Sequence, residues 1–365
     1  MFELNNEQRK CFALQPVLDA WERVELKPSP YDKHKTYAYL DGLRVVKMIL
    51  VCDIPGWELY YECTVDEALS DDKTKLLPKT QKGKPQNFTS SNLEKRTRRG
   101  MALSYCRYII TLFSFDTEQD FYSSYYEGTE INCFEDFKGW VDDWCRATGE
   151  KELAEINAFA SKTRVHRKFK EGDFFRYRIN RWLYGYGRII LDINKMRKDG
   201  IKFWDIFMGK PLYVAVYHIA TEDKNLMPEQ LVDLKMLPSQ LIMDNIFYYG
   251  ECEIIGNLPL KEEEKDYPIH YGLSIRAGER NRVVYQRGTT YISVVDANAP
   301  VPRYHFNGVG FSLNISLPIL LECIRTNSND PYWEKGLPGC IEKDLRNPKL
   351  KNTLTEVERY FKLSR

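Results

Sequence analysis

The sequence predicts an α+β protein with two β-rich, mostly antiparallel domains, residues 1–160 and 161–365. Three observations lead there. The 365 residues suffice for two hydrophobic cores. Aromatics make up 13% of the chain, with 24 Tyr and 18 Phe, which excludes disorder. Strand-like apolar runs broken by Asp-Gly and Arg-Gly pairs recur in both halves, and the clearest helical period begins only near Asn132.

In order, Pro16 limits a first helix to the residues after it, with Val17, Leu18, Trp21 and Val24 on its apolar side and Pro28 and Pro30 at its end. Thr36–Leu40, Leu43–Cys52 and Glu58–Val65 read as strands, the first two joined by a hairpin-forming Asp41-Gly42. Ser70–Asn92 is polar and lysine-rich and reads as a long loop, and Met101–Phe115 reads as a strand. From Asn132, Phe134, Phe137, Val141, Trp144 and Cys145 share one helical face, with Glu135, Asp136, Asp142 and Asp143 opposite. Asn132 and Glu135 resemble a capping box, and Gly149 a stop. A second helix from Glu150 to about Ser161 turns Leu153, Ile156 and Phe159 inward. With the basic run Lys162–Lys170, these helices read as a bridge between the domains.

The second half opens with a turn at Gly172-Asp173, a strand Phe174–Ile179, a connection at Asn180-Arg181 and a return strand Tyr184–Leu191. An aromatic strand facing Gly185 and Gly187 predicts a tight hairpin whose glycines leave space for a crossing backbone. The C-terminal domain is therefore expected to be a strongly curved sheet or small β-barrel. Leu212–Ile219, Phe247–Ile255 and Val283–Val295, the last broken at Arg287-Gly288, are further strands. Short helical pieces are expected near Trp204–Phe207 and Pro228–Leu234, then at Ile319–Ile324 and Thr355–Phe361, the last two separated by loops holding Pro331, Gly336, Pro338 and Gly339.

Three motifs carry a family resemblance: Phe-x-Glu-Gly-Asp-x-Phe at Phe169, Tyr-Gly-x-Gly-Arg-Ile-Ile at Tyr184, and Asp244 to Glu251. They resemble bacterial immunity protein 26 over roughly Phe169 to Tyr291. The resemblance implies a protein encoded beside a polymorphic toxin that it neutralises. Some relatives carry a phosphotriesterase label, so a metal-dependent phosphotriesterase-like hydrolase is one alternative.

Composition narrows the setting. No apolar run reaches the roughly 18 residues that a membrane helix needs, and the N-terminus lacks an apolar signal core. Nine scattered Cys without a Cys-x-x-Cys spacing suit free thiols in the cytoplasm. The net charge of +1 hides bands: +8 over 75–110, −9 over 116–155 and +8 over 161–200. Such bands either pair internally or present patches of opposite sign. Lys95–Arg99 and Arg164–Lys170 have aromatics nearby and support a second alternative, a nucleic-acid-binding module. Against it stand the near-neutral total and the absence of a recognition-helix or RNA-binding-sheet signature.

Catalytic patterns fail one by one. His34, His166, His218, His270 and His305 are isolated, with neither His-x-His nor His-Glu-x-x-His, so no metal or cofactor is expected. Gly185-Tyr-Gly187 has Ile190 where a dinucleotide fingerprint needs glycine, and it runs into a strand. Gly272-Leu-Ser274-Ile-Arg276 lacks the closing glycine of a nucleophile elbow. The expectation is therefore a non-catalytic inhibitor that occludes its toxin's active site. Candidate anchors for that partner are Trp182, Tyr184, Tyr186, Arg188, Trp204, Tyr248, Tyr249 and Glu251. Tyr122, Tyr125 and Tyr126 with Glu135, Asp136, Asp142 and Asp143 form an acidic aromatic surface suited to a basic nuclease groove. A solvated helix face with partly buried tyrosines is the plainer reading of that stretch.

Overall fold

The computed structural model describes residues 2–363 apart from 78–82, 201–203, 206–208, 275, 277, 280, 297–303, 306–308 and 336–343. The chain divides into two compact units, Met1–Val165 and His166–Arg365.

The first unit begins with helix α1 (Asn6–Cys11), closed by a capping box in which the Asn5 side chain accepts from the Gln8 N–H and Gln8 returns the bond. The helix expected after Pro16 does not form. Ala13 turns with φ +51°, and Trp21 and Val24 lead into an edge strand, β1 (Glu22–Leu26), paired with β2 (Lys35–Asp41). Cross-strand pairing overrides a short helical period there. β3 (Arg44–Cys52) and β4 (Leu59–Leu69) follow as expected, and Gly42 at φ +61° makes the hairpin turn. The polar segment after β4 is not all loop. It holds β5 (Lys75–Leu77), β6 (Gln86–Asn87) and a helical turn, α2 (Ser90–Leu93).

Met101–Phe115 is two strands rather than one, β7 (Arg98–Cys106) and β8 (Ile109–Ser114). Arg107 and Tyr108, both at positive φ, make the two-residue turn without the Asn or Gly that announces one. β9 (Gln119–Ser123) and the turn of helix α3 (Ser124–Glu127) occupy the acidic aromatic stretch. The main sheet runs β1-β2-β3-β4-β7-β8-β9, antiparallel throughout. α4 (Phe134–Arg146) and α5 (Glu150–Ala160) are not a bridge: Phe137, Val141, Trp144, Ile156 and Phe159 enter the core on one sheet face. The opposite face buries Ala38, Leu40, Met48 and Leu50 with Leu76 and Leu93. Cys133, not Asn132, caps α4, and Gly149 starts α5 rather than stopping α4.

The helix-covered face also contains charge. Lys47 and Glu62 are fully buried and Arg9 is nearly so; Arg9 Nε lies 2.7 Å and Lys47 Nζ 2.5 Å from Glu62. Burial alone would push the Glu62 carboxyl up, but Lys47 and Arg9 outweigh it and hold it below the ordinary range.

In the second unit, β10 (Asp173–Arg178) pairs with β11 (Tyr184–Asp192) as the hairpin reading predicts. The glycines admit neighbouring side chains more than a crossing strand. A Cβ on Gly185 would lie 2.3 Å from the Tyr177 ring, and one on Gly187 would lie 2.3 Å from Phe175 and 2.4 Å from the Ala215 carbonyl. After α6 (Ile193–Lys198), β12 (Leu212–Thr221) joins the other edge of β11, then α7 (Pro228–Leu231) and β13 (Gln240–Ile242) follow. Of the piece expected at Trp204–Phe207, only Trp204 and Asp205 lie among the described residues. The expected strand Phe247–Ile255 opens instead as helix α8 (Asn245–Tyr248), which buries the consecutive Ile246 and Phe247. Strand β14 starts only at Glu253 (Glu253–Asn257).

The order β13-β12-β11-β10-β14 is open-ended, and no barrel closes among the described residues. A second sheet comprises β15 (Ile269–Leu273), β16 (Arg282–Arg287), β17 (Thr290–Val295) and β18 (Tyr304–His305), in the order β17-β16-β15-β18. Helices α9 (Leu317–Thr326), α10 (Asp330–Lys335) and α11 (Lys351–Tyr360) complete the unit. Pro331 lies inside the first turn of α10, where its missing N–H is tolerated, rather than in a loop. Gly336, Pro338 and Gly339 lie outside the described residues.

Candidate partner-binding surface

Antiparallel register brings three connections to one end of the five-stranded sheet. Arg176 on β10 faces Glu253 on β14, Arg178 faces Tyr184 on β11, and Tyr184 faces Thr221 on β12. The connections Ile179–Leu183, Glu222–Met227 and Tyr249–Cys252 therefore leave the sheet on the same side. Arg176 ties them together. It pairs with Glu253, donates to the Lys224 carbonyl and sits 5.4 Å over the Tyr184 ring.

The hairpin tip is held by Asn180, whose side-chain oxygen accepts from the N–H groups of Trp182 (3.0 Å) and Leu183 (2.8 Å). Arg178 donates to the Arg181 carbonyl, and Arg181 itself is buried. This frame leaves Trp182 43% exposed. Beside β14, Tyr248 and Tyr249 meet edge to face at 5.2 Å, and His166 stacks on Tyr248 at 4.2 Å. Both tyrosines and Glu251 are half-buried, while Glu222, Asp223 and Met227 are exposed. The result is an end of the sheet with exposed Trp182 and Met227, half-buried tyrosines, and charges of both signs, Glu222 and Asp223 beside Lys224 and Arg176, features found at protein-binding surfaces.

Four of the expected anchors are interior. Tyr184 and Tyr186 pack with Phe174, Tyr217 and Leu231, and the Tyr186 hydroxyl donates to the Asp223 carbonyl at 2.6 Å. Arg188 is fully buried, pairs with Glu264, donates to the Leu258 and Pro259 carbonyls at 2.6 and 2.9 Å and stacks on Phe174. Trp204 is fully buried, edge-on to Tyr213 and His270. Alternation along β11 fails as a guide because the sheet covers both of its faces with protein. None of the four can touch a partner in this conformation.

In the first unit, Tyr122 is buried against Trp140 and Trp144, and Tyr126 is buried as well. Tyr125 is half-buried, and burial pushes its hydroxyl up to about 12. Glu135, Asp136, Asp142 and Asp143 are exposed. Glu135 and Asp143 pair with Lys138 and Arg146 on their own helix, and Asp142 accepts from Gln8. The Asn132 N–H holds the Asp136 carboxyl below the usual range.

The basic bands are partly used within the unit. Arg96 pairs with Glu67 at 3.2 Å, Arg98 lies 5.2 Å over Tyr61, and Arg164 pairs with Glu118 at 2.9 Å. Sequence reasoning missed Arg176, Glu222, Asp223 and Met227, whose proximity to Trp182 depends on strand register alone. It also missed Asp32, His34 and Glu94, the group of His, Cys, Asp or Glu with metal-ligand spacing among the described residues. Two of its members are close in sequence and the third is 60 residues away. Eight cysteines of the described residues are free, and no helix among those residues is long and apolar enough to cross a membrane.

Residues 170–281 match the family described as Immunity protein 26. No curated protein and no solved structure matches the chain.

Proposed function

We propose that this chain is a non-catalytic inhibitor that neutralises a cognate bacterial toxin in the cytoplasm by covering its active site. The observation that carries the reading is the match of residues 170–281 to an immunity-protein family. That segment contains both the Trp182 hairpin tip and the Tyr248–Glu251 connection. An exposed Trp on a rigid Asx turn, with tyrosines beside it, offers large contact area at little entropic cost. Charges of both signs at this end, Glu222, Asp223 and Glu251 with Lys224, offer a complementary partner polar contacts around that centre. The exposed acids of α4 form a negative surface on the first unit. An interface of roughly 1,600 Å² in total is the expected size.

The test is co-expression with the toxin encoded in the neighbouring reading frame, followed by gel filtration and a growth-protection assay. A stable complex and protected cells are expected. Trp182→Ala should weaken binding by about 30-fold, equivalent to about 2 kcal/mol, without moving the thermal midpoint. Lack of both complex and protection with the wild-type chain rejects the reading. Wild-type binding that is unchanged by Trp182→Ala rejects this face.

A further inference from the structure

In the first unit, the connection from β1 to β2 passes the C-terminal end of α2. His34 Nε2 lies 3.2 Å from Glu94 Oε1, and an Asp32 carboxylate oxygen joins them so that all three ligand atoms fall within 4.8 Å of one another. We propose that Asp32, His34 and Glu94 bind one divalent transition-metal ion, with zinc the best match. This inference concerns residues outside 170–281 and does not depend on toxin binding.

The donor chemistry is the first argument. One imidazole nitrogen and two carboxylate oxygens are a borderline-hard set that zinc accepts, and two anionic donors neutralise its charge. Spacing is the second. Tetrahedral zinc with arms of about 2.0–2.1 Å separates its ligand atoms by about 3.3 Å, and the His34–Glu94 distance already has that value. Asp32 starts within 4.8 Å of both and must close to that spacing, which its place in a connection rather than a strand permits.

Outer support is the third argument. Ser90 donates to Glu94 Oε1 at 2.5 Å and is itself paired with the buried Thr36 hydroxyl at 2.7 Å. Outer hydrogen bonds of this kind orient metal-bound carboxylates. Finally, Asp32 and His34 line a cleft of about 370 Å³ whose other walls include Trp57, Glu58, Tyr105 and Tyr108. The cleft gives a route by which an ion or water reaches two of the three ligands. An ion pair between His34 and Glu94 alone requires neither Asp32 nor the cleft.

The experiment titrates metal-stripped, fully reduced full-length protein with zinc by calorimetry and with cobalt by absorption. One equivalent should bind, without the thiolate-to-cobalt charge-transfer band that cysteine ligation gives. Asp32→Asn and Glu94→Gln should each weaken binding by at least about tenfold, and Ser90→Ala by about tenfold. Circular dichroism of the metal-free variants checks the fold. If Glu94→Gln fails to fold, Asp32→Asn decides alone, because Asp32 lies in a connection between β1 and β2 rather than in either strand. No saturable equivalent, a thiolate band, or affinity unchanged by Asp32→Asn overturns the site.

Discussion

Both units bury charge within a sheet, but they satisfy it differently. In the first, one carboxylate, Glu62, serves two interior cations, Lys47 and Arg9, and also accepts from the Tyr60 hydroxyl. In the second, Arg188 meets one carboxylate, Glu264, and two backbone carbonyls, those of Leu258 and Pro259. The first arrangement concentrates the compensation of Lys47 in a single side chain, although Arg9 also donates to Glu3 and Asn6. The second spreads it over neutral acceptors that no substitution of Glu264 removes. A buried ion is secure in proportion to the number of independent partners it has.

Removing the acid from each network gives the largest expected effect and the sharpest contrast. Glu62→Gln strands the fully buried Lys47, while Arg9 keeps Glu3 and Asn6, and should cost about 3–5 kcal/mol in chemical denaturation. Glu264→Gln leaves the carbonyl bonds to Arg188 in place and should cost about half as much. Equal losses would break the comparison. The Glu62 loss should also appear in the wild type as pH falls. The folded-state carboxyl is held below its ordinary value, so its stabilisation is present above the unfolded value and disappears on acidification through the folded one.

Next in size is Gly187→Ala. The added Cβ would overlap the Phe175 ring and the Ala215 carbonyl, so overpacking by about 1–3 kcal/mol is expected. Thermal unfolding of Gly187→Ala beside Gly42→Ala separates the causes: Gly42 has no atom within 4 Å of a new Cβ and suffers only from its positive φ. A smaller loss at position 187 than at 42 would show that the aromatic contact is slack.

A pH-dependent effect concerns Asp120 on β9, whose carboxyl burial raises to about 7. An acid raised on folding contributes stability at low pH and loses it as pH climbs from the unfolded value near 4 through about 7. Asp120→Asn should flatten the stability curve over that window with little change at pH 4. A slope identical to wild type would remove this group from the pH dependence.

Much of the sheet framework was readable because its signals are local. Asp41-Gly42 marks a turn by backbone chemistry, and the β10–β11 hairpin announces itself through bulky and glycine-bearing strands. Trp21–Val24 was misread because a short stretch satisfies a helical period while edge pairing with β2 decides its state. The start of the expected strand Phe247–Ile255 differs because aromatic content favours strand, although the consecutive buried Ile246 and Phe247 suit a helical turn.

The candidate surface was harder. Trp182 stands out in the sequence, yet Tyr186, Arg188 and Trp204 look equally suited to a partner until burial separates them. Nothing local places Arg176 beside Lys224 and Glu253, because that proximity depends on the register of three strands. Glu94 likewise meets Asp32 and His34 only after the first sheet has formed.

The fit of Phe175 against Gly187 also has an evolutionary corollary. Each residue occupies volume that the other must leave free, so a larger side chain at 187 is tolerable only when position 175 shrinks in compensation. Among relatives these two columns should covary, with glycine opposite a ring and alanine opposite a smaller aliphatic. The double exchange should restore the part of the loss that comes from the ring, while the overlap with the Ala215 carbonyl remains.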